Sequence, residues 1–205
     1  MNLSNSDRIE YQSIMNQVLV GYLGLKDSGN SSRVIPVNFA LDTQTILIHG
    51  AQEGEKYNHF SNGSGVAMSV VREYSVIPSH WMGGEYACAA TMYYKSVYLR
   101  GTTNVITDID GKTAALNVIM QKYQPGGNFR TIDINDPHYT TALKNVGILT
   151  IVPTDVQVKI KLGQFLETYQ RRRIIERLED RGTDIDRLTA SEMKKMLEEK
   201  GSDKF

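Results

Sequence analysis

Residues 18–49 read VLVGYLGLKDSGNSSRVIPVNFALDTQTILIH and contain three strand-like runs separated by two turns. The runs cover residues 18–25, 33–41 and 45–49, and each is rich in the Val, Ile and Leu residues that are common in strands. The two connections, which read DSGN and DT, are turns by composition. Because strands joined by such short turns pair as antiparallel neighbours, the stretch predicts an antiparallel meander.

Three further strand-like runs lie at residues 66–71, 92–100 and 156–162. In the last of these, apolar residues alternate with polar ones, so one face of the strand is expected to be buried and the other wet. The helical segments do not produce the strand-helix-strand alternation of a parallel sheet. We therefore predict an α+β fold built on a six-stranded antiparallel β-barrel with flanking helices.

The chain becomes charged and helical from Glu167 onward. An apolar stripe at residues 174, 175 and 178 and a capping box over residues 189–192 predict two peripheral helices. A length of 205 residues corresponds to one domain with an appendage. The predicted organisation is a barrel domain over residues 1–165 and a helical appendage over residues 166–205.

The charge composition excludes a strongly basic protein, since 23 Lys and Arg residues balance 23 Asp and Glu residues. A dedicated nucleic-acid-binding protein usually needs a basic face, so no nucleic-acid partner is expected. An apolar stretch such as residues 146–152 is far shorter than the ~20 residues that span a bilayer. The N-terminus lacks the cationic start and apolar segment of a signal peptide. We therefore expect a cytoplasmic protein with no membrane partner.

Common cofactor and metal signatures are absent from the sequence, which contains no Gly-x-Gly-x-x-Gly after a strand, no phosphate-loop motif and no His-Glu-x-x-His. The four histidines, His49, His59, His80 and His138, lack the close spacing of metal ligands, so no metal site is predicted. The single cysteine, Cys88, excludes an internal disulfide.

The most informative positive charges are Arg33 and Lys56. Lys56 lies in the first turn of a predicted helix, where unpaired backbone N–H groups bind anions. A cation there opposes the helix dipole, which is easier to explain if a phosphate shares the site. Arg33, at the start of a neighbouring strand, could supply a second, bidentate contact. Spacing alone nevertheless favours the plainer interpretation that both residues are solvated charges.

The order of several short motifs resembles a known family. These motifs are Val34-Ile35-Pro36-Val37-Asn38-Phe39, then Ile48-His49-Gly50-Ala51, then Lys56, and later Tyr94-Lys95-Ser96-Val97 with Gly101. Together they resemble the flavin-binding split-barrel family related to pyridoxamine 5'-phosphate oxidase, particularly the branch of the 5-nitroimidazole-resistance proteins. The resemblance covers about residues 10–165. The tail is similar, more loosely, to that of PaiB-type regulators.

The resemblance implies a six-stranded Greek-key split barrel that works as a homodimer with one FMN at each end of the interface. Arg33 and Lys56 would hold the phosphate, and Ser96 would reach the cofactor of the other subunit. The isoalloxazine edge would be contacted by Val34, Ile35, Pro36, Val37 and Asn38. The ribityl chain or the ring would be contacted by His49, Gly50 and Ala51. Glu55 departs from the family, which often has Arg or a small polar residue before the lysine.

The resemblance leads to an FMN-dependent oxidoreductase that reduces a small nitroaromatic or quinone-like acceptor. His80, Trp81 and Tyr86 are predicted to contact this substrate, since aromatic side chains over a flavin face would form an apolar slot; packing of Trp81 is the alternative. Pyridoxamine 5'-phosphate oxidases themselves carry a C-terminal Arg-x-His segment that binds the substrate. No histidine follows His138 in this chain, so the resemblance disfavours vitamin B6 synthesis. Two other hypotheses stay open: a flavin- or haem-binding sensor or regulator, and a structural dimer that has lost its cofactor.

Overall fold

The computed structural model describes residues 3–26, 29, 31–82 and 86–202. Its sheet has seven strands, β1 (Val20–Lys26), β2 (Ser32–Asn38), β3 (Ala40–Asp42), β4 (Thr45–Ala51), β5 (Gly65–Ile77), β6 (Thr91–Ile106) and β7 (Val146–Lys161). The α-helices are α1 (Asn5–Gln17), α2 (Glu55–Ser61), α3 (Ile109–Tyr123), α4 (Pro137–Asn145), α5 (Thr168–Arg181) and α6 (Asp184–Ser202). Most of the predicted turn at residues 27–30 lies outside the described residues.

The strand order across the sheet is β2-β1-β5-β6-β7-β4-β3. β1 pairs with β2 and with β5 in antiparallel register, and β4 pairs in the same way with β3 and with β7. β2 and β4 also approach each other, although they are not neighbours in the sheet, so the sheet curls. The predicted α+β fold with an antiparallel, barrel-like sheet is confirmed.

The predicted number of six strands is wrong by one, because residues 33–41 form two strands instead of a single one. β2 pairs with β1 up to Asn38, whereas β3 pairs with β4 from Ala40 onward. At Phe39, between them, the backbone N–H donates to the Tyr123 hydroxyl of α3 at 2.8 Å, and the ring is buried. The hydrogen bond that would continue a strand ladder is therefore made to a helix side chain.

The chain divides into two compact units, residues 1–70 with 97–158 and residues 71–96 with 159–205. The core of the first unit is an apolar cluster between the curled sheet and α1. A smaller cluster lies where α3 packs against β3 and β4. Apolar residues of the larger cluster include Tyr11, Leu23, Val37, Phe39, Met68, Leu99 and Leu149.

The second unit has its own core, which α5 and α6 help to build. The apolar stripe of α5 (Ile174, Ile175 and Leu178) packs in one cluster with Tyr74 and Trp81. The C-terminal helices therefore contribute to a hydrophobic core. The predicted boundary between residues 165 and 166 stays a prediction. Within the described parts of the chain, no helix combines the length and the apolar character needed to cross a membrane.

Candidate functional site

The strand β2 lies at an edge of the sheet, where it pairs with β1 alone among the strands that the structure describes. Pro36, opposite Tyr22, fits this position because an edge strand tolerates a residue without a backbone N–H. Val34, Pro36 and Asn38 are exposed, whereas Val37 is buried in the core of the first unit. Ligands on the outer face can therefore meet the side chains at positions 34, 36 and 38.

The strand β4 leads into the short helix α2. His49 and Ala51, at the end of β4, are exposed, and Gly50 lies between them opposite Gly147 of β7. Gly54, which precedes α2, has a φ of 89°, a backbone conformation that glycine adopts without steric cost. The sequence therefore places Lys56 in the first turn of α2, as predicted from the pattern.

Lys56 packs over Gly50. A Cβ atom added to Gly50 would lie 3.0 Å from the Lys56 Nζ, so the ammonium occupies the space that a side chain on β4 would fill. The lysine is half-buried, and this burial lowers its pKa because desolvation disfavours the charged form. In the described part of the chain, neither a hydrogen bond nor an ion pair engages the Lys56 ammonium. Lys56 is thus a partly desolvated cation that has no counter-ion among the described residues.

Arg33, in contrast, has a counter-ion. Its guanidinium forms an ion pair with the carboxylate of Glu55, the first residue of α2. The Arg33 side chain is 56% exposed and that of Glu55 is 30% exposed. This pair connects the start of β2 to the start of α2. Its acidic member, Glu55, directly precedes Lys56 in the chain.

Two adjacent cavities of the first unit share Lys26 and Arg33. The first, called the basic cavity, has a volume of about 620 Å³ and is lined by Lys26, Arg33, Glu55, Asn58, His59 and Asn62, among others. The second, called the outer-face cavity, has a volume of about 770 Å³ and runs across β1, β2, β5, β6 and β7. Its lining includes small residues at Gly24, Ala67, Gly101, Thr102 and Thr154.

Small residues make the outer-face cavity suited to a flat ligand, because the backbone can be approached closely where side chains are short. Arg100 and Asp155 also line it, and their side chains form an ion pair at 2.9 Å. Both cavity volumes lie in the range of roughly 300 to 1,000 Å³ that small-molecule and cofactor sites occupy.

A family model described as pyridoxamine 5'-phosphate oxidase matches residues 7–160. The chain belongs to the pyridoxamine 5'-phosphate oxidase family. The resemblance seen in the short motifs is confirmed, and the match includes both Arg33 and Lys56. No curated protein sequence is significantly similar to the chain.

Solved structures with the same fold include a putative 5-nitroimidazole antibiotic resistance protein of Bacteroides thetaiotaomicron. It is 22% identical, with 76% of this chain and 84% of that chain covered, at a TM-score of 0.59. An FAD- and haem-binding protein of Mycobacterium smegmatis is 18% identical, with 77% and 71% covered, at a TM-score of 0.62. A flavocytochrome of Azotobacter vinelandii is 15% identical, with 75% and 67% covered, at a TM-score of 0.63. At these identities the likeness shows the fold alone.

The other residues predicted for the family's cofactor and substrate lie in the second unit. Ser96 is half-buried on β6, and its contact with a cofactor stays a prediction. Trp81 is only 7% exposed and packs in the core, with the Arg181 guanidinium 4.7 Å from its ring centroid. This environment agrees with the alternative of packing for Trp81, and its contact with a substrate stays a prediction. His80 and Tyr86 are exposed, and their contact with a substrate stays a prediction.

Sequence reasoning missed the lining residues Lys26, Asn58 and Asn62, and it missed the pairing of Glu55 with Arg33. A signal for Lys26 exists in the hairpin register, since Lys26 pairs with Ser32 and Leu25 with Arg33. A hairpin places its last and first residues side by side, so two basic residues near the turn predict one basic edge. The partner of Arg33 leaves no such local signal.

Proposed function

We propose that the protein is a cytoplasmic, homodimeric, FMN-binding oxidoreductase that reduces a small nitroaromatic or quinone-like acceptor. The observation that carries this proposal is the half-buried Lys56 ammonium, which packs over Gly50 and has no counter-ion in the described part of the chain. A buried or half-buried charge is costly unless it is paired, so this cation is best explained by an anionic ligand.

The residues present fit a flavin phosphate. Lys56 and Arg33 would hold the phosphate, and the outer-face cavity would take the ring system beside the exposed side chains of β2. A charge-assisted contact from Lys56 would offset its desolvation and raise the lowered pKa toward its ordinary value. When bound, FMN supplies the electron-transfer chemistry, while the chain binds the cofactor, orients it and limits access of water.

The first test is the visible spectrum of the purified protein. We expect the two flavin bands and, after denaturation, release of about one FMN per chain, since each chain contributes one Lys56 site. After photochemical reduction, addition of a nitroaromatic compound or a quinone should restore the oxidised flavin bands. A Soret band instead would support the alternative of a haem-binding sensor, and the absence of any band would contradict flavin binding.

The homodimer is a separate prediction, supported by apolar side chains on the outer face of the first unit. Tyr22, Val34, Tyr98 and Val152 are large and exposed there. Exposed apolar groups of this size mark interaction surfaces. We expect light scattering to give twice the 23.0 kDa mass of one chain.

A pair of matched variants tests which surface is used. Tyr98→Glu should shift the protein toward the monomer, whereas Ile9→Glu, at an exposed apolar residue of α1, should leave the mass unchanged. A flavin-loaded protein that is monomeric at micromolar concentration would rule out a cofactor site shared between subunits.

A further inference from the structure

Glu55 is an acidic residue at a position where an anion-binding site is not expected to contain one. It directly precedes Lys56 in the chain, and its carboxylate forms an ion pair with Arg33. Both members of the pair line the basic cavity. Arg33 therefore already pairs with an internal anion at the position where the proposed function places the ligand phosphate.

The charges around the basic cavity make Glu55 an exception. Lys26 and Arg33 line the cavity as cations, and Lys56, which lines neither cavity, follows Glu55 in the first turn of α2. Glu55 is the sole acidic residue among the described residues that line this cavity. Its negative charge lowers the net positive charge that a ligand phosphate would experience at Arg33.

The pair has little value for stability, which leaves a role in binding to be considered. Ion pairs between exposed side chains contribute little to stability, and Arg33 is more than half exposed. By contrast, a carboxylate that neutralises a ligand-binding guanidinium removes part of the attraction that the ligand anion would experience, and this loss scales with the charge of that anion. A phosphomonoester carries about two negative charges at neutral pH, whereas each phosphate of a diphosphodiester carries one.

We propose that Glu55 is a specificity-determining residue that competes with the ligand phosphate for Arg33. It thereby weakens binding of a phosphomonoester, such as FMN, more than binding of a diphosphodiester, such as FAD. This inference rests on the proposed function, since it assumes that a flavin phosphate binds at Arg33 and Lys56. With Glu55 present, the preference of the site for FMN over FAD is therefore lower than it would be without this acidic residue.

The experiment compares the affinities of FMN, FAD and riboflavin for the unmodified chain and for Glu55→Gln, measured by quenching of flavin fluorescence. Release of Arg33 from the carboxylate should lower the dissociation constant of FMN about tenfold and that of FAD roughly threefold, since only one of the two FAD phosphates would contact Arg33 and it carries about half the charge of the FMN phosphate. Riboflavin has the same ring but no phosphate, so its affinity should not change.

Two further variants test whether the gain in affinity is specific to Glu55 and whether it depends on Arg33. Glu53→Gln removes the same charge two residues earlier, at an exposed position that lines neither cavity, and should leave all three affinities unchanged. In a chain that carries Arg33→Ala, the gain from Glu55→Gln should be much smaller, because Glu55 then has no guanidinium to withhold from the ligand.

The outcomes separate this inference from the function on which it rests. FMN binding that Glu55→Gln leaves unchanged or weakens, or a gain that is equal for riboflavin, would overturn the role of Glu55 and leave the flavin site standing. A full gain in the Arg33→Ala background would also overturn the competition for Arg33. If neither the unmodified chain nor Glu55→Gln bound any of the three flavins, the proposed function and the role of Glu55 would fall together.

Discussion

Lys56→Ala should weaken FMN binding by about 1.5 to 3 kcal/mol, which is about a ten- to hundredfold increase in the dissociation constant. The physical reason is the loss of a charge-assisted contact between the Lys56 ammonium and the phosphate. The ammonium is held over Gly50 and is half-buried, so its side chain is already positioned before the ligand arrives. Fluorescence titration of the apoprotein with FMN measures the change.

Riboflavin and a second lysine provide the controls for this prediction. Riboflavin lacks the phosphate, so its affinity should hardly change in Lys56→Ala, and added salt should weaken FMN binding more than riboflavin binding. Lys144→Ala, at an exposed residue near the end of α4, should affect neither ligand. Equal losses for FMN and riboflavin, or no loss for either, would mean that Lys56 is a solvated surface charge.

Asp186→Ala should lower the free energy of unfolding of the second unit by about 2 to 4 kcal/mol, because it removes a buried carboxylate together with its ion pair and its hydrogen bonds. The Asp186 side chain is fully buried at the start of α6 and pairs with Arg181 of α5, Nη2 to Oδ1, at 2.5 Å. Ser75 of β5 donates to the same carboxylate at 2.5 Å, and Thr183 donates to it at 2.6 Å. The carboxylate thus connects a strand and two helices.

Urea unfolding monitored by the fluorescence of Trp81 measures this effect, because the single tryptophan lies in the core of the second unit. Asp184→Ala is the matched control in the same helical turn. Its side chain is 99% exposed and pairs only with the exposed Arg187 among the described residues, so its removal should cost less than about 1 kcal/mol. Similar losses for Asp184→Ala and Asp186→Ala would refute the importance of the buried network.

The same carboxylate predicts a pH dependence. The Arg181 guanidinium and the hydroxyl donors hold the pKa of Asp186 well below its usual range. A lowered folded-state pKa contributes stability that is complete above the unfolded pKa of about 3.9 and is lost as the pH falls through the folded value. The difference in stability between the unmodified chain and Asp186→Ala should therefore be constant near neutral pH and should narrow below about pH 4.

Much of the fold follows from local patterns, and its exceptions have non-local causes. Period-two alternation and turn composition predicted the strands. β2 lies at an edge of the sheet, where Pro36 is tolerated although it lacks a backbone N–H. The division of residues 33–41 was not predictable in the same way. It depends on a hydrogen bond between Phe39 and Tyr123, which are 84 positions apart. The sequence showed the apolar stripe of α5, but it did not show which residues form the core against which the stripe packs.

The candidate site shows the same limit more strongly. Arg33 and Lys56 were identified from their places at the ends of predicted elements and from the family resemblance. Their electrostatic states differ, however, because Arg33 pairs with a residue 22 positions away whereas Lys56 has no partner in the described part of the chain. Neither state can be read from the spacing of the two residues.

The sequence by itself determined the family, the order of strands and helices along the chain except for the division of residues 33–41, and the two basic residues of the candidate site, because these depend on residue type and on periodicity over a few neighbours. Only the tertiary structure decided that Glu55 neutralises Arg33, that Lys56 stays unpaired in the described part of the chain, and that Trp81 and Asp186 are buried. The physical reason is that Coulomb energies and burial depend on distances in space, which folding sets between residues far apart in the chain.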